Sequence, residues 1–185
     1  MDVAQHLSTE QLESGLEHVL ASPTDVGTLD LILRRPDVDA REVLESAELN
    51  FTEGVAGDNW NQRSSSRMPD GSPHPDMQLN VMNSRMVALI AQHRDRWQLA
   101  GDQLFVDLDL SEDNLPAGTQ LAIGSAVIEI TDQPHTGCAK FTRRFGLEAH
   151  RFVNNERGRQ LGLRGRCARV VTEGTITNAD TVTKL

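Results

Sequence analysis

Residues 121–131, LAIGSAVIEIT, form the stretch that decides the fold class. Apolar residues occupy every second position on both sides of a central Gly124-Ser125 pair, namely Leu121 and Ile123 before it and Ala126, Ile128 and Ile130 after it. A period of two is typical of strands with one buried face, and a two-residue Gly-Ser turn joins antiparallel strands. The stretch therefore predicts a β-hairpin.

Other segments add strands and a smaller number of helices. Strands are predicted at 29–33, 77–81 and 102–110, with a closing hairpin of 168–172 and 176–183 around Glu173-Gly174. Helices are predicted at 9–20 behind a capping box that starts at Ser8, at 40–47, after Asn83 or Ser84, and at 144–154. Residues 61–76, rich in Ser and Pro, form a long loop. Many short strands with a few short helices predict a mainly β protein with short helices (α+β), built as a β-barrel.

The overall composition excludes several protein classes. The 185 residues carry a formal net charge of −9, which argues against a general nucleic-acid binder. Two cysteines, Cys138 and Cys167, are too few for a disulfide framework and lack the spacing of a zinc or redox pair. The first twenty residues lack the basic start and apolar run of a secretory signal, and no stretch has the length of a membrane span. We therefore expect a cytoplasmic protein.

Positive charge is concentrated in one part of the chain. Residues 140–169 contain nine basic and two acidic residues, so this segment is +7 and the rest of the chain is −16. Sixteen of the 18 basic residues are arginines, whose planar fork suits phosphate and carboxylate groups. We expect the segment to bind a small phosphorylated ligand, with Lys140, Arg144, Arg159 and Arg164 as the candidate contacts. The alternative is that these arginines pair with the acidic remainder, which also disfavours a long polyanion.

Cys138 lies where the predicted hairpin ends and the basic segment begins. The surrounding sequence, Gln133-Pro-His-Thr-Gly-Cys-Ala-Lys-Phe141, is polar for a core position. His135 and Lys140 are close enough in sequence to lower the pKa of the thiol, and the thiolate is the form that attacks, binds soft metals and carries sulfur. A Cys–His hydrolase needs a third orienting group, which the sequence does not name. A small buried thiol is the non-functional alternative.

These motifs resemble the MOSC domain family, named for the C-terminal part of molybdenum-cofactor sulfurases. The resemblance rests on Asp109–Gly118, which is similar to the family's acidic Asn-Leu motif, on the strand pair at 121–131, and on Gln133-Pro134 with Cys138–Phe141, which is similar to the family's cysteine loop. It extends in order over about residues 50–182 and implies a MOSC-type β-barrel. We therefore expect residues 1–48 to form a helix-containing extension packed on the barrel and residues 49–185 to form the MOSC domain, as one structural domain overall.

The resemblance also implies a function. Cys138 would ligate molybdenum or carry a persulfide, His135 would serve as a catalytic proton donor, and the basic segment would hold the phosphate of the molybdenum cofactor (molybdopterin). Some relatives reduce N-hydroxylated compounds, so an oxidoreductase or a sulfur-transfer protein is expected, with a small-molecule substrate and a cysteine desulfurase or an electron-donor protein as partner. Nucleic acid and membrane are not expected as partners. Pyridoxal phosphate is disfavoured because Lys140 is the one lysine away from the C-terminus. The alternative function is a non-catalytic module or sensor that binds a phosphorylated small ligand.

Overall fold

The computed structural model describes residues 5–185, and its elements are short. The helices are α1 (Thr9–Leu20), α2 (Ser84–Ala91), α3 (Ala139–Phe145), α4 (Leu147–Asn154) and α5 (Glu156–Gln160). The strands are β1 (Val26–Arg34), β2 (Glu42–Leu44), β3 (Ser46–Asn50), β4 (Gly54–Val55), β5 (Leu79–Asn83), β6 (Leu104–Asp107), β7 (Gln120–Ile123), β8 (Ala126–Ile130), β9 (Arg166–Thr172), β10 (Gly174–Thr177) and β11 (Thr181–Lys184). None of the helices in the described range is long and apolar enough to span a membrane.

Seven strands close into a mixed barrel, as the sequence predicts. The order is β11-β7-β8-β9-β5-β6-β1, and β1 pairs again with β11 to complete the ring. The β5–β6 pairing is parallel and the others are antiparallel. Strand β2 extends the sheet beyond β1, and β10, β3 and β4 form a second, three-stranded sheet. Strand β1 lies inside the barrel sheet, so residues 1–48 supply part of the barrel as well as helix α1.

Several strands are buried on both faces because helices cover the outside of the barrel. On β1, Ile32 belongs to the apolar cluster inside the barrel, whereas Leu31 and Leu33 belong to the cluster beneath the helices. Phe105 on β6 likewise packs outward, between inward-facing neighbours. Helix α1 contacts α2 and α4 and inserts Leu12 into this outer cluster. The barrel is therefore enclosed by a helical layer on the side that carries the cysteine loop.

Local sequence signals identify some elements without error. Helix α1 begins after Ser8 with the capping box in place, and its bounds match the prediction. Helix α2 begins after Asn83, whose side chain accepts a hydrogen bond from the Met86 N–H. The β7–β8 hairpin turns at Gly124-Ser125, as predicted.

Two other predictions are wrong because long-range pairing overrides local preference. The helix predicted at 40–47 is replaced by β2 and β3, since Leu44 pairs with Ile32 on β1 and Ala47 pairs with Ile176 on β10. The closing hairpin does not form either. Strand β9 pairs with β8 and β5, whereas β10 joins the small sheet against β3.

The helix predicted at 144–154 is also corrected. Gly146 has a φ of +95°, a backbone conformation that glycine adopts without steric cost, and it separates α3 from α4. Helix α3 consequently starts at Ala139, directly after Cys138. Because α3 starts earlier, Cys138 lies at the N-terminal end of this helix rather than in an open loop.

Gly165 offers a test of how tightly the chain is fixed before β9. Its φ is +100°, and a Cβ atom there would lie 2.2 Å from the Val81 carbonyl oxygen of β5. Gly165→Ala is therefore expected to lower the free energy of unfolding by about 3 kcal/mol or more, measured by urea denaturation. Gly118→Ala is the matched control, because Gly118 has a φ of +92° with nothing within 4 Å, and it should cost about 1 kcal/mol. Equal losses for the two variants would contradict the close contact with Val81.

Candidate functional site

The sequence-predicted Cys138 lines a cavity of about 620 Å³. Its walls come from the segment after β1, the start of the 61–76 loop, the turn before β6, the cysteine loop, α3 and the segment before β9. The side chains that the argument uses are Arg35, Asp39, Arg41, Arg63, His135, Cys138, Lys140, Arg144 and Arg164. Six of these nine side chains are lysine or arginine, so the cavity is suited to an anion.

Helix α4 holds the cysteine loop in place. Asn154 accepts a hydrogen bond from the Gly137 N–H at 2.9 Å and donates one to the Gly137 carbonyl at 3.1 Å. The His150 ring Nε2 lies 3.0 Å from the same carbonyl oxygen. Both backbone groups of Gly137 are therefore fixed by side chains, which sets the position of Cys138 one residue later.

Cys138 is partly exposed to the cavity and caps the start of α3. Burial raises the pKa of its thiol, but the N–H groups of Phe141 and Lys140 and the positive charge of Arg164 outweigh burial and leave the pKa below that of an ordinary cysteine. Cys167 differs. It is buried, and burial raises the pKa of its thiol to about 12. These opposite pKa shifts favour Cys138 over Cys167 as the reactive thiol.

His135 belongs to a buried charge network centred on Asp102. The Asp102 carboxylate is fully buried and lies 2.6 Å from His135 Nε2, while Arg164 Nη1 donates to its two oxygens at 2.9 and 2.8 Å. Burial raises the pKa of Asp102, and the neighbouring Arg164 and His135 outweigh it, so the carboxylate stays ionised. Burial and Arg164 lower the pKa of His135, which is therefore neutral, with its proton on Nε2 facing Asp102. The lone pair of Nδ1 is then the acceptor that His135 offers.

Not all of the cavity cations are free for a ligand. Arg35 is held by Asp58 through two hydrogen bonds of 2.9 and 2.8 Å, and Arg164 is held by Asp102. Two guanidinium Nε atoms, those of Arg41 and Arg164, are buried and have no partner among the described residues. A buried N–H without an acceptor is costly unless a ligand supplies one. The two donors can therefore take an acceptor from outside the chain, such as water or an anion.

The structure brings together most of the site residues predicted from the sequence. Cys138, His135, Lys140, Arg144 and Arg164 all line the cavity. Arg159 does not. It lines a smaller pocket of about 100 Å³ that it shares with Glu112 and Arg166.

Three of the basic residues that lie in the basic segment but outside the cavity are paired with acids. Arg151 pairs with Glu148, Arg157 with Glu13, and Arg169 with Asp76 and Glu129. The net charge of +7 counted along the sequence is therefore not the charge of the site.

Sequence reasoning missed half of the cavity. Arg35, Arg41 and Arg63 line the cavity but lie far upstream of the basic segment, and the fully buried Asp102 gave no motif. The long loop predicted at 61–76 was the available signal for Arg63. Asp102 follows a glycine at the start of a strand, a pattern too common to single out.

Comparison with known proteins identifies the family. The sequence profile of the MOSC domain matches residues 72–183, more than half of the chain. The chain belongs to the MOSC domain family.

The barrel also recurs in solved MOSC-type structures. The YuaD protein from Bacillus subtilis is 14% identical, with a TM-score of 0.58 over 85% of this chain and 94% of its own. YiiM from Escherichia coli is 16% identical, with a TM-score of 0.55 over 85% and 69% of the two chains. YiiM from Geobacillus stearothermophilus is 13% identical, with a TM-score of 0.52 over 89% and 74%. No curated protein sequence matches the chain.

The MOSC family is associated with the molybdenum cofactor, and the residues of this cavity fit such a group. The cofactor is a phosphorylated, sulfur-rich anion that carries a soft metal. The cavity offers one soft thiol at Cys138, and it offers the orphaned N–H groups of Arg41 and Arg164 to a phosphate. Residues 5–185 hold no group of three or more His, Cys, Asp or Glu side chains arranged for a metal ion.

Alkylation kinetics will test the state of the Cys138 thiol. The thiolate is the form that reacts with iodoacetamide, so a lowered pKa moves the half-maximal rate to a pH below about 8.5. We expect one thiol of the native protein to react, with this pH dependence, and Cys167→Ala to behave identically. Cys138→Ser should abolish the reaction until the protein is unfolded. A half-maximal rate at or above the pH of a free cysteine would contradict the proposed electrostatics.

The neutral state of His135 predicts a pH dependence of stability. The folded protein disfavours protonation of His135 and the unfolded chain does not, so stability present above about pH 6.5 is lost as the pH falls. We expect the free energy of unfolding to fall as the pH decreases below about 6.5, with a slope of up to about 1.4 kcal/mol per pH unit from this group. His135→Asn keeps a donor for Asp102 and should flatten this slope. An unchanged slope would show that His135 titrates alike in both states.

Proposed function

We propose that this MOSC protein binds the molybdenum cofactor in the Cys138 cavity, with the Cys138 thiolate as the protein ligand of the metal. The observation that carries the proposal is the combination of a thiol of lowered pKa with two orphaned, buried guanidinium donors in one cavity. The bound group would supply a redox-active metal that exchanges oxygen with a substrate. Each residue of the site has a role in binding that group or in moving protons around it.

Cys138 and the cations would hold opposite ends of the ligand. The thiolate is a soft donor, which molybdenum favours, and it lies at the helix end fixed through Gly137. Arg41 offers its Nε–H, and Lys140 and Arg144 add two further positive charges on the same cavity wall. Phosphate recognition by several charged donors is strong because each hydrogen bond is charge-assisted.

His135 and Asp102 would manage protons. Asp102 holds the Nε2–H of His135, so Nδ1 can accept a proton from solvent and pass it to a substrate oxygen that leaves as water. Reduction of an N-hydroxylated compound to the amine and water consumes two electrons and two protons. A separate electron-donor protein would supply the electrons. Asp102 acts through His135 and is a positioning residue rather than a catalytic one.

Sulfur transfer is the second candidate, and the exposure of Cys138 favours it. A cysteine desulfurase must reach the thiol to place a sulfur atom on it, and the Cys138 side of the cavity is open to solvent. In that case Cys138 would carry a persulfide formed by attack of its thiolate on the desulfurase persulfide, which leaves the desulfurase thiol behind. A desulfurase would then be the partner protein.

Co-purification from a host that makes the molybdenum cofactor tests the proposal. Wild-type protein is expected to carry molybdenum and pterin in equal amounts, measured by mass spectrometry of the metal and fluorescence of the oxidised pterin. Cys138→Ser should lose most of the molybdenum because the soft donor is gone. Arg41→Gln combined with Arg144→Gln should lose pterin and metal together.

Two matched variants serve as controls. Cys167→Ala and Arg157→Gln remove a thiol and an arginine outside the cavity and should retain both components. Absence of metal and pterin from the wild type, or full retention in Cys138→Ser, would overturn the cofactor proposal. A phosphorylated ligand that stays bound in Cys138→Ala would favour a non-catalytic binding module. A mass gain of one sulfur atom on Cys138 after desulfurase treatment, absent in Cys138→Ser, would support sulfur transfer instead.

A further inference from the structure

Asp39 is the one carboxylate among the described side chains that line the cavity. It lies on the exposed segment between β1 and β2, on the wall that carries Lys140 and Arg144. Every other ionisable side chain on the wall, apart from His135 and Cys138, is a cation. Asp39 therefore occupies a position, beside Lys140 and Arg144, at which an anionic ligand would bind.

The contacts of Asp39 are those of an anion in a binding site. Its Oδ1 accepts a hydrogen bond from Lys140 Nζ at 2.8 Å and one from Arg144 Nη2 at 3.3 Å. Arg144 is also anchored by the Leu99 carbonyl at 2.8 Å, so it keeps its place without Asp39. Lys140 makes no other side-chain hydrogen bond among the described residues.

The ion pairs that hold Asp39 are weak, so another anion can replace its carboxylate. Its side chain is 59% exposed, and ion pairs at such positions contribute little to stability. Its φ is +60°, a conformation that non-glycine residues adopt at a cost. Asp39 is therefore held against Lys140 and Arg144 by two exposed ion pairs, while its backbone conformation is strained.

We propose that Asp39 is an internal competitor that occupies the Lys140–Arg144 pair until the anionic group of the ligand displaces it. This inference rests on the proposed anion-binding function of the cavity and adds a residue that sets its affinity. The competition falls only on ligands whose anionic group reaches this pair.

Calorimetric titration with inorganic phosphate at pH 8 tests the proposal. Asp39→Asn removes the charge, keeps the shape, and suits the left-handed backbone, which asparagine tolerates well. We expect Asp39→Asn to bind phosphate about fivefold more tightly than the wild type, as expected from the loss of two exposed ion pairs. Asp37→Asn removes the same charge two residues away, where the carboxylate contacts only the Val38 N–H, and should change the affinity less than twofold.

A second measurement locates the phosphate. The chain has two lysines, Lys140 and Lys184, and Lys184 pairs with Asp25. After ¹³C-dimethylation, which keeps both amines charged, phosphate should move the Lys140 resonance and leave the Lys184 resonance in place. The signal lost in Lys140→Arg is that of Lys140, and the signal lost in Lys184→Arg distinguishes Lys184 from the dimethylated α-amino group.

The outcomes separate this inference from the function on which it rests. Unchanged or weaker phosphate binding in Asp39→Asn overturns the competitor role and leaves the cavity as an anion site. Equal gains in Asp39→Asn and Asp37→Asn would show a general effect of charge and also overturn it. Failure of phosphate to bind either Asp39→Asn or the wild type overturns it as well. The cofactor proposal is then decided by the molybdenum and pterin content.

Discussion

The buried Asp102 carboxylate is the interaction on which the site depends. An ionised carboxylate without water costs several kcal/mol unless positive charge and hydrogen bonds compensate. Arg164 and His135 provide that compensation, and each comes from a different part of the chain. Asp102 thereby joins the turn before β6, the cysteine loop and the segment before β9. Removal of Arg164 or His135 would leave the Asp102 charge buried without full compensation. The three segments are therefore fixed relative to one another.

A second buried pair does the same for the opposite wall. Arg35 and Asp58 are both almost fully buried, and Asp58 also accepts from the Arg35 N–H. This pair ties the end of β1 to the chain before the 61–76 loop, the two segments that carry Arg41 and Arg63. The cavity thus has two classes of cation. Arg35 and most of Arg164 are used to hold the framework, whereas Arg41, Lys140 and Arg144 remain for exchange with a ligand.

The sequence predicts what local chemistry determines and fails where distant segments meet. The β7–β8 hairpin, α1 and the Asn83 cap follow from short patterns, and the sequence around Cys138 was sufficient to place the thiol at the site. Strands β2 and β3 were mistaken for a helix because their partners lie on β1 and β10, outside any local window. Arg159 was chosen and Arg41 was missed for the same reason. A count of charges along the chain cannot show which arginines are already paired.

The net charge of −9 is compatible with an anion site because the acidic side chains mainly neutralise the basic side chains that they contact. Glu13, Asp76 and Glu129 neutralise arginines of the basic segment that face away from the cavity. Asp102, which is fully buried, pairs with Arg164, and Asp39 is the one acid among the described side chains that line the cavity. The positive side chains therefore surround a cavity of about 620 Å³ that is open to solvent on the Cys138 side, and Arg164 among them lowers the pKa of the Cys138 thiol. A small anion can enter this volume and meet both the thiolate and the cations, whereas a long polyanion would meet the acidic surface. An anion bound beside Arg164 would offset the charge of this guanidinium and thereby raise the pKa of the Cys138 thiol.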